Sequence, residues 1–368
     1  MKRIIPLLGL LLALNAAAQE TVKTTANKFN GYGIVYSLPT TAIDLQVTTT
    51  RSVEKVGPFS KYAQKYLGVA PTVTQNRTVW TMDKVTAVPK GKPNPEQQYA
   101  IQLKSGNQTA FYLTPDGLLA GINVKPECNA SRPHAPKKGH KHTDEELAQL
   151  YTEDMLLMGS TAKMAEAAAK QIYAIREYRL DLLTGNADVL PTDASLKIIL
   201  REMARREALL TELFMGSAEK ETMVKHVVYM PDTAEQGNRI AFRFSEHNGV
   251  VGTKDLSGEP VYVAVTPTRE GTVPTNSKGR SVAPSKGSLA YTIPGYADVK
   301  VSFKGKTLFN ENLPFAQLGV VYGLDATLLS GKNRMEARFC PQTGALLNIS
   351  TIEPEKTEHS GKPTPPAN

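Results

Sequence analysis

Ser160-Thr161-Ala162-Lys163 places a hydroxyl and an amine one helical turn apart, a spacing at which the amine can take the hydroxyl proton and leave a nucleophile. The same spacing returns in Ser217-Ala218-Glu219-Lys220, where an apolar run again ends in glycine and serine. No serine-aspartate-asparagine element accompanies either, and Lys104-Ser105-Gly106 stands before both in the chain. A serine at a helix start satisfies an orphan backbone N–H, and capping accounts for both serines. The reading assigns no catalytic residue.

His134, His140 and His142 hold three of the six histidines within one basic, proline-containing stretch. Imidazoles can share a metal, but ordering a flexible stretch opposes assembly and no second-shell partner is evident. The expectation is no metal and no cofactor, with these three as the ligands a metal would have to use. Cys128 and Cys340 are the only cysteines. An oxidising compartment permits their disulfide, and closing so long a loop removes about 5 kcal/mol of unfolded-chain entropy in the ideal model. Spacing leaves open whether the two meet. Arg176 and Arg179 lie beside Glu177 and Asp181 in a helical stretch, and Arg179 interrupts its apolar stripe. They read either as an anion contact or as a structural ion pair. Trp80 is the single tryptophan, a sugar platform or a rim residue of a core. Paired acids for glycoside hydrolysis have no fixed spacing and are not readable here.

The elements that must position these residues begin after a leader. Lys2 and Arg3 precede the apolar run Ile4–Leu14, and Ala16-Ala17-Ala18 supplies small residues for cleavage. Residues 1–18 are expected to be a signal peptide, with no later apolar run long enough to span a bilayer. The formal charge of +8 includes two leader cations and stays positive without them. It favours an envelope protein or an anionic glycan as partner, whereas export and the lack of an aromatic-basic motif exclude nucleic acid. The 41% apolar content suffices for real cores, and the length points to more than one structural unit.

The fold class expected is α+β: two antiparallel β-rich modules, 29–127 and 221–352, separated by a basic linker, 128–143, and a helical segment, 144–217. A disordered tail over 353–368 completes the division. Two stretches echo one another, Tyr36-Ser-Leu-Pro39 leading to Ile43, Leu45 and Val47, and Tyr291-Thr-Ile-Pro294 leading to Ala297, Val299 and Val301. Each runs through a proline into an alternating strand. In the first module Gly57-Pro58 opens a short helix that stops at Gly68. Strands follow near 77–88, 98–104, 109–114 and 118–124. The helical segment carries three apolar ends that meet glycine, at Gly159, Gly185 and Gly216, each read as a left-handed stop. Stripes of Met164, Ala168, Ile172, Ile175 and Leu182, then Leu196, Leu200, Met203, Leu210 and Phe214, predict a short helix leading into an antiparallel pair. Residues 267–288 read as a mobile loop.

Tyr32-Gly-Ile-Val-Tyr-Ser-Leu-Pro39, Gly57-Pro-Phe-Ser-Lys-Tyr-Ala-Gln-Lys-Tyr-Leu-Gly68 and Ile175-Arg-Glu-Tyr-Arg-Leu-Asp-Leu-Leu-Thr-Gly185 resemble a family of exported proteins of unknown function from Bacteroidetes-type bacteria. Phe242-Arg-Phe-Ser245 and Leu256-Ser-Gly-Glu-Pro-Val-Tyr262 extend the resemblance over nearly all of the mature chain. It implies export and domain unity and carries no activity. Asp232-Thr233-Ala234 also resembles the short O-glycosylation acceptor of such proteins, with Thr233 as the modified residue. The functional expectation is a non-catalytic envelope protein, periplasmic or at the cell surface, that binds a macromolecular partner. A hydrolase of envelope glycans or peptides and a periplasmic ligand carrier are the alternatives.

Overall fold

The computed structural model describes residues 21–23, 33–102, 109–126, 137–138, 149–188, 191–232, 237–284, 287–325 and 335–351. The leader, Cys128, His134, His140, His142, Thr233 and the tail lie outside the described residues.

The chain is β-rich and antiparallel, with a helical segment between its β-rich stretches. Strand β2 (Gly33–Lys55) pairs along its length with β3 (Arg77–Gln102). Between them a single 3-10 turn, Ser60–Tyr62, leads into α1 (Ala63–Leu67), which Gly68 ends in the left-handed conformation. Strands β4 (Phe111–Leu113) and β5 (Leu119–Ile122) and the short β6 (Lys137–Lys138) follow. Next come helices α2 (Glu153–Leu157), α3 (Thr161–Thr184) and α4 (Asp193–Met215). The chain returns to strands with β7 (Ser217–Tyr229), β8 (Arg239–Ser245), β9 (Gly249–Val251), β10 (Glu259–Arg269), β11 (Leu289–Phe303), β12 (Lys306–Leu324), β13 (Met335–Phe339) and β14 (Leu346–Thr351).

Three sheets form, ordered β1-β3-β2-β7-β6, β12-β11-β10-β8-β9 and β14-β13-β5-β4, where β1 is Thr21–Lys23. Strand pairing crosses the helical insertion: β7 adds to β2, and the C-terminal β13 pairs with β5. The β-rich stretches on either side of the helices therefore share two of the three sheets, and the second is built from strands after the helices alone.

The echo between 36–47 and 291–301 is an echo in three dimensions. The β2–β3 ladder shifts register between Ser37 and Pro39, and the β11–β12 ladder between Ile293 and Gly295. Proline cannot donate to a ladder, so the chain bulges and bends there. Each long strand thereby serves two cores. Before the bend, Tyr36 and Leu38 join Leu289, Ala290, Ile122 and Phe339. After it, Ile43, Leu45 and Val47 face Ala297, Val299 and Val301 between the first two sheets. Trp80 packs against this second core, its ring over Gly249, and is a rim residue of the core.

The two bent hairpins meet at Thr41, which is fully buried. Its hydroxyl accepts from Ala316 N at 2.9 Å and donates to Gln342 O at 2.9 Å. Gln317 completes the pairing, accepting from Thr41 N at 3.0 Å and donating to Thr41 O at 2.9 Å. Gly91, opposite Thr41 on β3, lies so close to the turn after β13 that a β-carbon would run into the Pro341 carbonyl oxygen.

The expected strands 77–88 and 98–104 are one strand up to Gln102, because residues between Pro93 and Gln98 bulge out while Pro39 and Ser37 keep the ladder going. Only Thr21–Lys23 covers the far side of β3, at Tyr99–Ile101, so Pro89, Pro93 and Pro95 face no further strand among the described residues. Of the three glycine stops, Gly185 alone is a left-handed cap. Gly159 is not at positive φ, and Gly216, at φ 82° and ψ 171°, turns the chain into β7. Ser217 therefore starts a strand and caps nothing. Within 267–288 the chain runs as β10 to Arg269, and a turn closed by Asn276 and Arg280 follows.

Thr41→Val keeps the shape but strands Ala316 N and the Gln342 carbonyl, so urea unfolding should show a loss of about 1–3 kcal/mol. Gly91→Ala should lower the midpoint as well; unchanged midpoints for both would contradict the role given to this crossing.

Candidate functional site

The helix pair is fixed at one end and free at the other. Ser160 caps α3, its hydroxyl accepting from Lys163 N at 3.4 Å. At the same end of the pair the last carbonyls of α4 need donors. Phe59 N binds Leu213 O at 2.8 Å, and Thr72 N and Val73 N bind Met215 O. Phe59, Ala63, Leu209, Leu210, Leu213 and Phe214 close a third core there with Ala165, Ala168, Ala169 and Ile172 of α3. Tyr173 ties the pair down once more, donating to Tyr66 O at 2.9 Å.

Beyond that point burial thins out. Helix α3 has 24 residues, about 36 Å of helix. No residue of 173–181 or 193–208 is fully buried, although Leu182 is. Of the expected stripes, Leu196, Leu200 and Met203 are only half-buried. Near the outer end Leu180, Leu183 and Ile198 stand 60%, 65% and 55% exposed, and Tyr178 is exposed too. These apolar side chains sit on positions that a solvated helix fills with charge.

Arg176 and Arg179 converge on one carboxylate across the pair. Arg176 Nε reaches Glu207 Oε1 and Arg179 Nη1 reaches Oε2, both at 2.6 Å. Glu207 is mostly buried and each oxygen holds one guanidinium. The structure thus brings both arginines together as a structural pair that leaves one positive charge over. Beside them a cavity of about 280 Å³ has a floor of Leu150, Ile175, Met203 and Leu209 and a rim of Arg205, Arg206 and Glu202. Glu202 accepts from Arg205 Nε at 3.2 Å.

Cys340 is a half-buried thiol whose Sγ lies 3.1 Å from Gln342 Oε1, beside the Thr41 crossing. Among the described residues no three His, Cys, Asp or Glu side chains gather as a metal would require. Among the described residues two carboxylates depart from their ordinary range, Glu166 through its hydrogen bond to Lys170 and Asp255 through its bonds to Ser257. Both are solvent-accessible and both are lowered. No helix of the described residues is long and apolar enough to cross a membrane.

One pair was invisible in the sequence. His226 Nδ1 lies 2.8 Å from Asp44 Oδ2 on the outer face of the first sheet, and the other oxygen, Asp44 Oδ1, is buried without a partner. The carboxylate orients the half-exposed imidazole. Alternation put Asp44 on the outer face of β2, but only the β2–β7 register brings His226 beside it.

Replacing Glu207 by glutamine should cost no more than about 1 kcal/mol, because both arginines are partly solvated. Thermal unfolding at low and high salt should show that loss shrinking as salt rises. A salt-independent loss of several kcal/mol would mean that the pair is desolvated.

No curated protein and no solved structure matches the chain. A family model described as Domain of unknown function (DUF4831) matches residues 32–347. The match runs from the start of β2 into β14 and takes in strands of every sheet and the helix pair. The chain belongs to this family of unknown function.

Proposed function

We propose that the chain is an exported, non-catalytic envelope protein whose helix pair docks a protein partner. Lys2, Arg3, the apolar run and Ala16–Ala18 support export, and the family resemblance read in the sequence points the same way. The observation that carries the docking role is the apolar outer end of the pair, Leu180, Leu183 and Ile198, held away from the sheets by helices anchored at their other end. A protein interface puts large apolar side chains at its centre and charges at its rim. Lys197, Arg201 and Arg205 recur every fourth residue along the exposed side of α4 and supply that rim. Glu207 already occupies Arg176 and Arg179, which turns those two from an anion contact into a brace for the pair.

A photo-crosslinking residue placed at Ile198 should trap one partner from envelope extracts. The double variant Leu180→Glu, Leu183→Glu should reduce that product at least tenfold while its circular dichroism stays that of the parent. Equal capture by the double variant would remove the helix pair from the reading. Mass spectrometry of the protein from its own cell envelope should find a mature chain beginning at Gln19. An intact Met1 in that fraction would contradict export through this leader.

A further inference from the structure

One arginine of α4 stands where its helix packs. Ile199, Met203, Leu210 and Leu213 follow one another at steps that keep side chains on one face of a helix, and all four are buried or half-buried. Arg206 lies in that seam, three residues after Met203 and four before Leu210. A charge on the packed side of a helix ordinarily comes with an opposite charge. Arg179 of α3 obeys that rule, because it holds Glu207. Arg206 does not, and it has no ion pair or hydrogen bond among the described residues. Its neighbour Glu207 is already spent on Arg176 and Arg179, and Glu202, one turn earlier, accepts from Arg205. A residue that breaks its local pattern without a structural gain marks a place that function selects.

What Arg206 lines is the cavity between α3, α4 and the turn at Gln149 and Leu150. Leu150 and Leu209 on its floor are buried, and Ile175 and Met203 are half-buried. Methionine adapts its shape to whatever packs on it. With the Glu202 charge met by Arg205 and Gln149 uncharged, the lining is left with the one positive charge of Arg206. Its volume of about 280 Å³ is about twice that of an apolar cavity that encloses benzene, which is room for about a dozen non-hydrogen atoms.

Small-molecule sites have this make-up, apolar walls with a few polar groups that fix orientation. A guanidinium presents a planar fork that a carboxylate matches with both oxygens, and a single free guanidinium suits a single negative charge. We propose that this cavity binds a free aliphatic monocarboxylate of about ten carbons, its chain on Leu150, Ile175, Met203 and Leu209 and its head on Arg206. The cavity does not include Leu180, Leu183 or Ile198, so this binding goes beyond the docking role of the outer end and does not rest on it.

Equilibrium dialysis of the full mature chain against labelled decanoate, kept below its micelle concentration, tests the proposal. One decanoate should bind per chain, and decanol should compete about tenfold less well or worse. Arg206→Gln changes an exposed side chain. It should keep the circular dichroism of the parent and bind decanoate about tenfold more weakly or worse. In spectra of isotope-labelled methionine methyls, decanoate should shift the Met203 resonance, assigned through Met203→Leu, and leave that of Met82 on the first sheet in place. The Leu180→Glu, Leu183→Glu variant should bind decanoate like the parent. Absence of binding would overturn the proposal. So would equal binding by Arg206→Gln, or several decanoates per chain with no shift at Met203, which marks adsorption to the surface.

Discussion

Thr41 carries the constraint on which the rest of the architecture depends. Two long hairpins, each bent at a proline, cross at this residue, and every polar group that Thr41 owns is bonded to the other half of the chain. A buried hydroxyl with both partners satisfied contributes modestly by itself, but leaving either partner alone in the interior is costly. The crossing therefore fixes the relative placement of β2 and β12, and through the β12 ladder that of β11, within narrow limits. From that placement follow both sandwich cores, one on each side of the bend. Tyr36 adds a second tie, donating from a buried ring to Ala290 O at 2.9 Å, and burial pushes its phenol well above the ordinary range.

The helices sit at the far end of this scaffold and obey different physics. Their inner turns are packed against 57–73 and share a core with it. Their outer turns are joined chiefly by half-buried leucines, by Leu182 and by the Glu207 brace. Local stability follows buried apolar contact, so the pair combines a rigid root with a loosely supported end. A partner that covers Leu180, Leu183 and Ile198 would supply the burial that the chain itself does not.

What the sequence made legible was local. Alternation at 43, 45 and 47 and at 297, 299 and 301 marked the inner faces, the repeated proline marked both bends, and the glycines and stripes marked the helix pair. Ser160 as a cap was readable because its role involves a residue only three positions away. What escaped was every feature that needs two distant strands to meet. The addition of β7 to β2, the pairing of β13 with β5 and the Asp44–His226 pair depend on register between segments with no shared local signal. The prolines after Val88 also misled, because proline ends a central strand and here it occupies an uncovered stretch of β3.

The central claim is that a rigid crossed β scaffold presents a separately yielding helix pair. Native-state hydrogen exchange resolved by residue tests it most directly. The account requires amides of the outer turns, 176–182 and 196–206, to exchange through an opening of much lower free energy than amides at 43–47 and 297–301. If both groups exchanged only through one global unfolding event, with a single free energy and a single dependence on denaturant, the division into scaffold and working element would be contradicted.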